Sequence, residues 1–213
     1  MTPFDTPDAL ALNQARMEHL ESLGLPFQGK SVLEVGCGVG HFTKWLLETM
    51  KVSPPVVCVD GRAENIAELR RRMPDSTDGL VIDLDQAFLP VSCFHIVFCY
   101  GFIYHLENPL RVIRELAGAG ELLLIESIIT GETGRTLTLM NEPSHVSNQG
   151  LTPLAHWPSR DWIEDVLHAL GFHVYRTPAP EHPDFTGGSS IQRVVLIGSC
   201  EPLDNSKLTE VRW

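Results

Sequence analysis

Residues Val32-Leu33-Glu34-Val35-Gly36-Cys37-Gly38-Val39-Gly40-His41-Phe42 decide the fold, because an apolar strand runs directly into a G-x-G-x-G turn and then into a helix. Glycine reaches positive φ without a Cβ clash and lets a ligand approach the backbone, while the following helix presents unpaired N–H groups at its start. The layout is that of a cradle for a nucleotide-type ligand. A dinucleotide turn would read G-x-G-x-x-G and carry a pyrophosphate on the helix N-terminus. Here His41 stands at the place of the third glycine. Glu34 adds an acidic group that repels pyrophosphate and welcomes a cationic or amino-bearing ligand.

Outward from this turn, strands and helices alternate. A helix is expected over 8–23, opened by Thr6-Pro7 and stopped by Gly24 and Pro26, with Leu10, Met17 and Leu20 on one stripe that also carries Asn13 and, at its edge, Arg16. Strands are expected at 31–35, 56–59, 80–82, 94–100 and 121–125, then at 172–175 and 193–197. Helices fall at 62–72 and after Asn108-Pro109, and the apolar 94–100 run suits a central strand buried on both faces. Ser159 caps a last helix whose stripe includes Trp162, a core position on that spacing. Between 130 and 158 the chain reads as a long irregular insert, a length uncommon unless functional. Such alternation implies a parallel sheet covered on both faces, with ligands beyond the carboxyl ends of its strands. The polar residues sit at those ends: Glu34 and the glycines, Asp60, Asp83, Tyr100-Gly101 and Glu126. A carboxylate after the second strand can accept from ribose hydroxyls and one after the third from an adenine amino group, so together they describe adenosine carrying an amino acid.

Composition bounds the rest. The 213 residues, 43% hydrophobic, suit a single domain spanning 1–213. Sixteen Lys and Arg against 27 Asp and Glu give a net charge of -11, which disfavours nucleic acid as a partner, and Arg70-Arg71-Arg72 reads as a solvated helix end. Five cysteines, odd in number and without a C-x-x-C pair, read as reduced residues of a cytoplasmic protein. Met1-Thr2-Pro3-Phe4-Asp5 lacks the features of a secretion signal, and no apolar run approaches ~18 residues, so no membrane partner is expected.

These residues resemble the class I S-adenosylmethionine-dependent methyltransferases. Residues 32–40 are similar to that family's first motif, Val59-Asp60 to its ribose position, Ile82-Asp83 to its adenine position, and the run from Phe94 to Pro109, with Tyr104-His105-Leu106, to its fourth motif and tail. His95 stands where the family usually has Asp. Asn13-Gln14-Ala15-Arg16, Ser147-Asn148-Gln149-Gly150, Trp157-Pro158-Ser159-Arg160 and 180–185 are similar to a bacterial small-molecule-type subgroup. The resemblance implies a Rossmann-like, doubly wound α/β fold: a seven-stranded sheet of order 3-2-1-4-5-7-6 with strand 7 antiparallel, an N-terminal helix and 130–158 as a lid. It implies S-adenosylmethionine held by Glu34, Gly36, Cys37, Gly38, Gly40, Asp60, Gly61, Arg62, Asp83, Leu84, Tyr100 and Arg16, the last as partner of the cofactor carboxylate.

Methyl transfer from a sulfonium needs an acceptor in line and, for a hydroxyl, a base. His105 is the first candidate base because imidazole titrates near working pH. Glu126, ending a buried strand, and Tyr104, near the cleft, are the other catalytic candidates, each with a structural role as the alternative. Asn13, Asn148, Gln149 and Arg160 are candidate edges of the acceptor pocket. Glu142, His145, His156 and His182 are scattered too widely to predict a metal site. The expected acceptor is a small molecule, a saccharide or natural-product hydroxyl. The alternatives are an RNA-modifying methyltransferase, which the net acidity opposes, and a non-catalytic cofactor-binding protein.

Overall fold

A computed structural model describes residues 2–90 and 93–212. Its strands are β1 (Val32–Val35), β2 (Val56–Asp60), β3 (Thr77–Val81), β4 (Phe94–Tyr100), β5 (Gly120–Ile129), β6 (Leu137–Asn141), β7 (Leu154–Pro158), β8 (His173–Arg176), β9 (Gln192–Ser199) and β10 (Thr209–Val211). Its helices are α1 (Pro7–Leu23), α2 (His41–Glu48), α3 (Ala63–Arg72), α4 (Pro109–Ala117), α5 (Arg160–Ala169) and the short α6 (Pro183–Thr186). The main sheet runs β10-β8-β9-β5-β4-β1-β2-β3. From β3 to β5 neighbours are parallel, and β9 runs antiparallel to both β5 and β8. This is the expected seven-strand order with one addition, since the chain returns after β9 and pairs β10 antiparallel to β8 at the edge.

Two apolar layers hold the sheet. Leu20, Leu23, Trp45, Leu46, Ile66 and Leu69 of α1, α2 and α3 pack on one face, and Val112, Ile113, Leu116, Ile163 and Leu167 of α4 and α5 on the other. Trp162 packs against the second layer, in keeping with its place on the α5 stripe. Ser159 caps α5 by accepting from the Trp162 amide at 3.2 Å. Register then aligns the strand ends that matter: Val35 pairs with Val59 and with Cys99, and Tyr100 pairs with Glu126. The chain past β1, β2, β4 and β5 therefore emerges along one edge. Among the described residues no helix is long and apolar enough to cross a membrane.

The insert is not irregular. Residues β6 and β7 form a separate antiparallel hairpin from Leu137↔Pro158 to Asn141↔Leu154. Its first strand alternates exposed and half-buried positions along Leu-Thr-Leu-Met-Asn, a period-two pattern rich in strand formers. The edge of the hairpin docks on the chain after β4, where the His156 amide donates to the Leu106 carbonyl at 3.0 Å. The 142–153 connection is thereby folded back over the carboxyl edge of the sheet.

Candidate functional site

Asp60, the last residue of β2, organises one wall of the cleft. Its Oδ2 accepts the Gly38 amide at 2.9 Å, and its Oδ1 accepts the Arg62 amide at 2.9 Å and Asn65 Nδ2 at 3.1 Å. Gly36 and Gly38, at φ of 71° and 53°, make the reversal that aims the Gly38 amide at this carboxylate. Burial raises the Asp60 carboxyl above its ordinary range, and the hydrogen bonds from Arg62, Asn65 and Gly38 oppose the rise. A cavity of about 90 Å³ opens here, lined in part by Asp60, Asp83, Leu84 and Asp85. Asp83 accepts the Asp85 amide at 3.0 Å, and Asp85 in turn accepts the Glu107 and Asn108 amides, tying the end of β3 to the start of α4. Phe4 covers the glycine turn, since a Cβ on Gly38 would lie 2.8 Å from its ring. Asp5 holds Phe4 there through His41 at 3.0 Å and Arg72 at 3.2 Å.

Several expected contacts fall elsewhere. Glu34 lines neither cavity of the cleft; it is buried under the turn and accepts from Thr43 Oγ1 at 2.5 Å. Burial pushes its carboxyl up to about 8, so it is neutral near pH 7 and supplies no charge to a ligand. Gly40 is the N-cap of α2, beneath Leu69 and Met73. Gly61 lies under Leu151 of the insert, where a Cβ would be 2.4 Å from Cδ1. The Arg62 guanidinium is spent on the carbonyls of Ser144 at 2.7 Å, Gly150 at 2.9 Å and Gln149 at 3.3 Å. The one cation of this wall therefore straps the insert down.

A larger cavity, about 320 Å³, adjoins the first and is lined by Asn13, Arg16, Cys37, Tyr100, Tyr104 and His105 among others, with Glu142, Asn148, Gln149 and Trp157 from the insert. Glu126 forms its floor and is fully buried. Arg16 Nη2 reaches one Glu126 oxygen at 2.6 Å and Arg193 Nη1 the other at 3.0 Å. Burial opposes the charge, but the two guanidiniums outweigh it and hold the carboxyl below its usual range. A carboxylate so committed is a poor proton acceptor, which corrects Glu126 as a candidate base. Arg16 is likewise engaged, by Glu126 and by Asn13 at 3.0 Å, and its buried Nε has no protein partner. The Tyr104 hydroxyl sits 3.5 Å from Arg193 and its ring 4.2 Å from that of His105.

His105 faces both cavities, and its Nδ1 is 2.7 Å from Glu142 Oε2. The sequence offered Glu142 only as a metal ligand. Among the described residues no His, Cys, Asp or Glu cluster is suited to a metal: His145 is exposed and His182 caps α6. Arg160 is also displaced from expectation, since it begins α5 and lines a separate cavity with Arg176 and Pro178. Sequence reasoning did not single out Phe4, Asp85, Phe102, Leu151, Trp157 or Arg193, all of which line one or both cavities of the cleft. Of these, only Asp85 had a signal, an acidic residue two past Asp83.

A methyltransferase-domain family profile matches residues 33–119. Relatives named tRNA U34 carboxymethyltransferase include one from Histophilus somni, 27% identical over 87% of this chain and 59% of the relative, and one from Methylococcus capsulatus, 27% identical over 72% and 50%. Another, from Photobacterium profundum, is 29% identical over 65% and 44%. The chain thus spans about half the length of the curated relatives it matches. Among solved structures, the N-terminal domain of EvdMO1 with SAH and D-fucose superposes at a TM-score of 0.67 and 20% identity over 92% of this chain and 84% of that one. An S-adenosylmethionine-dependent methyltransferase from Mesorhizobium loti gives 0.67 and 15% over 87% and 97%. The tRNA relatives overturn two expectations from the sequence, the small-molecule acceptor and the exclusion of nucleic acid, for which net charge was too coarse a guide. Residues 33–119 are a methyltransferase domain, set in a chain with the class I S-adenosylmethionine-dependent methyltransferase fold.

Proposed function

We propose that the chain is an S-adenosylmethionine-dependent methyltransferase whose acceptor is a tRNA nucleoside. The observation that carries the donor half is the Asp60 wall. Three carboxylates line the smaller cavity, and its one cation is consumed by carbonyls of the insert. That surface suits hydroxyl and amino donors and a positive sulfonium, and it repels phosphates. Asp60 would hold the ribose, Asp83 and Leu84 the adenine, and Gly36 and Cys37 the backbone approach toward the larger cavity. When bound, the donor supplies a carbon already activated by the positive sulfur. The chain's own work is then to orient the acceptor, exclude water and take a proton, which His105 is placed to do from between the two cavities.

The acceptor half rests on the tRNA relatives. A target base would enter the larger cavity extruded from its stack, since an atom inside a helix is out of reach. With a net charge of -11, few phosphates can be neutralised, so affinity for tRNA should fall only weakly with salt. A cytoplasmic location goes with this reading. The test is to incubate the protein with methyl-labelled S-adenosylmethionine and unfractionated bacterial tRNA, digest the RNA and identify labelled nucleosides by mass. One labelled nucleoside, lost in His105→Ala, is the result expected. Label absent from RNA, with donor binding intact, would remove tRNA as the acceptor.

A further inference from the structure

We propose that Glu142, carried by the insert, is the positioning residue of the reaction: it fixes the tautomer and orientation of His105, so that the proton acceptor is assembled only when the insert lies closed. This rests on the reading of His105 as the base. Glu142 follows β6, 37 residues after His105, and both carboxylate oxygens lie within hydrogen-bond distance of Nδ1, at 2.9 and 2.7 Å. The pair is largely removed from solvent, with side-chain exposures of 6% for Glu142 and 12% for His105. A carboxylate can only accept at this spacing, so Nδ1 carries the hydrogen and Nε2 is left with its lone pair. The acceptor's O–H or N–H proton then goes to His105 Nε2 as the acceptor atom forms its new bond, and Glu142, staying ionised, stabilises the imidazolium that results.

The same carboxylate belongs to the closure. Glu142 Oε2 also accepts the Gly150 amide at 2.8 Å, and the Gly150 carbonyl accepts from Arg62, the residue two past the proposed ribose carboxylate. A Cβ on Gly150 would lie 2.9 Å from Glu142 Oε2 and 2.9 Å from the His105 carbonyl, so only glycine fits between them. One chain of contacts therefore runs from the Asp60 turn through Arg62 and Gly150 to Glu142 and His105. Closing the insert over the donor side and orienting the base are a single event, which couples readiness for proton transfer to the seating of the donor.

Two measurements test this. The first is the ¹⁵N spectrum of histidine-labelled protein at alkaline pH, with His105 assigned through His105→Ala. His105 should appear as the Nδ1–H tautomer, and in Glu142→Ala its two nitrogens should move to the averaged positions of a free imidazole. An Nε2–H tautomer in the native protein, or an unchanged signal in Glu142→Ala, would overturn the proposal. The second is a cycle of Glu142→Gln, His105→Ala and the double variant in the tRNA labelling assay. Glu142→Gln should lower kcat at least about tenfold with donor affinity within about threefold, and should have no further effect once His105 is alanine. Losses that add in the double variant, or that appear in donor affinity alone, would make Glu142 an anchor of the insert and nothing more. Failure of tRNA to label would count against the acceptor reading, while the ¹⁵N spectrum would still decide the role of Glu142.

Discussion

The two walls of the cleft are built on opposite plans. On the β1–β2 side, one carboxylate gathers three donors from residues 38–65, so everything needed lies within a few turns of chain. On the β5 side and under the insert, function-bearing groups meet only through distant pairs: Arg16 with Glu126, Arg193 with Glu126, His105 with Glu142 and Arg62 with Gly150. The two buried glutamates make the contrast sharpest. Glu34 on β1 is kept neutral by burial beside a threonine, whereas Glu126 on β5 is kept ionised by two guanidiniums. A wall of local contacts can be altered at the cost of binding, and a wall of distant charge pairs at the cost of the fold.

That contrast breaks first at Glu126. Glu126→Ala leaves two buried guanidiniums unpaired and should cost about 3–5 kcal/mol in denaturant unfolding; a loss comparable to an ordinary surface substitution would mean the arginines find other partners. Glu34 should behave oppositely and through pH. Its native carboxyl holds a proton up to about pH 8 that the unfolded chain releases near its ordinary value of 4.5, so its contribution is complete in acid and fades as pH rises between the two. Stability should fall across that window by on the order of 3 kcal/mol, and Glu34→Gln should flatten the fall. An equal slope in both proteins would assign the proton elsewhere. Asp60→Ala should leave the fold in place while weakening donor binding by about 1.5–3 kcal/mol, read by calorimetry. The smallest effect is expected at Gly150→Ala, which should loosen the insert and speed amide exchange over 142–151 by about tenfold, a shift of roughly 1.4 kcal/mol in the opening equilibrium; unchanged exchange would show that the close approach at Gly150 relaxes without opening the insert.

The same division explains what the sequence could disclose. Strand order from β3 to β9, the glycine turn and the carboxylate after β2 follow from apolar runs, glycine spacing and punctuation, all short-range signals. The hairpin β6–β7 was obscured because Thr, Asn and Pro around it read as loop, although Leu137-Thr138-Leu139-Met140 carries the alternation of a strand. β10 lies at the sheet edge and is only three residues long, too short for periodicity to register. The roles of Glu126, Arg62 and Glu142 were illegible for a deeper reason: a charge's role depends on which partner the fold delivers, and these partners lie 37 to 110 residues away. Glu34 failed similarly, since its position beside the glycines is visible in sequence and its orientation toward Thr43 is not.

The central claim, that the Asp60 wall is the seat of an adenosyl donor, is tested most directly by titrating S-adenosylmethionine and S-adenosylhomocysteine into the protein in a calorimeter. The account predicts saturable binding of both at one site per chain, sharply weakened in Asp60→Ala. Absence of binding for either ligand at millimolar concentration, or binding that Asp60→Ala leaves unchanged, would contradict it.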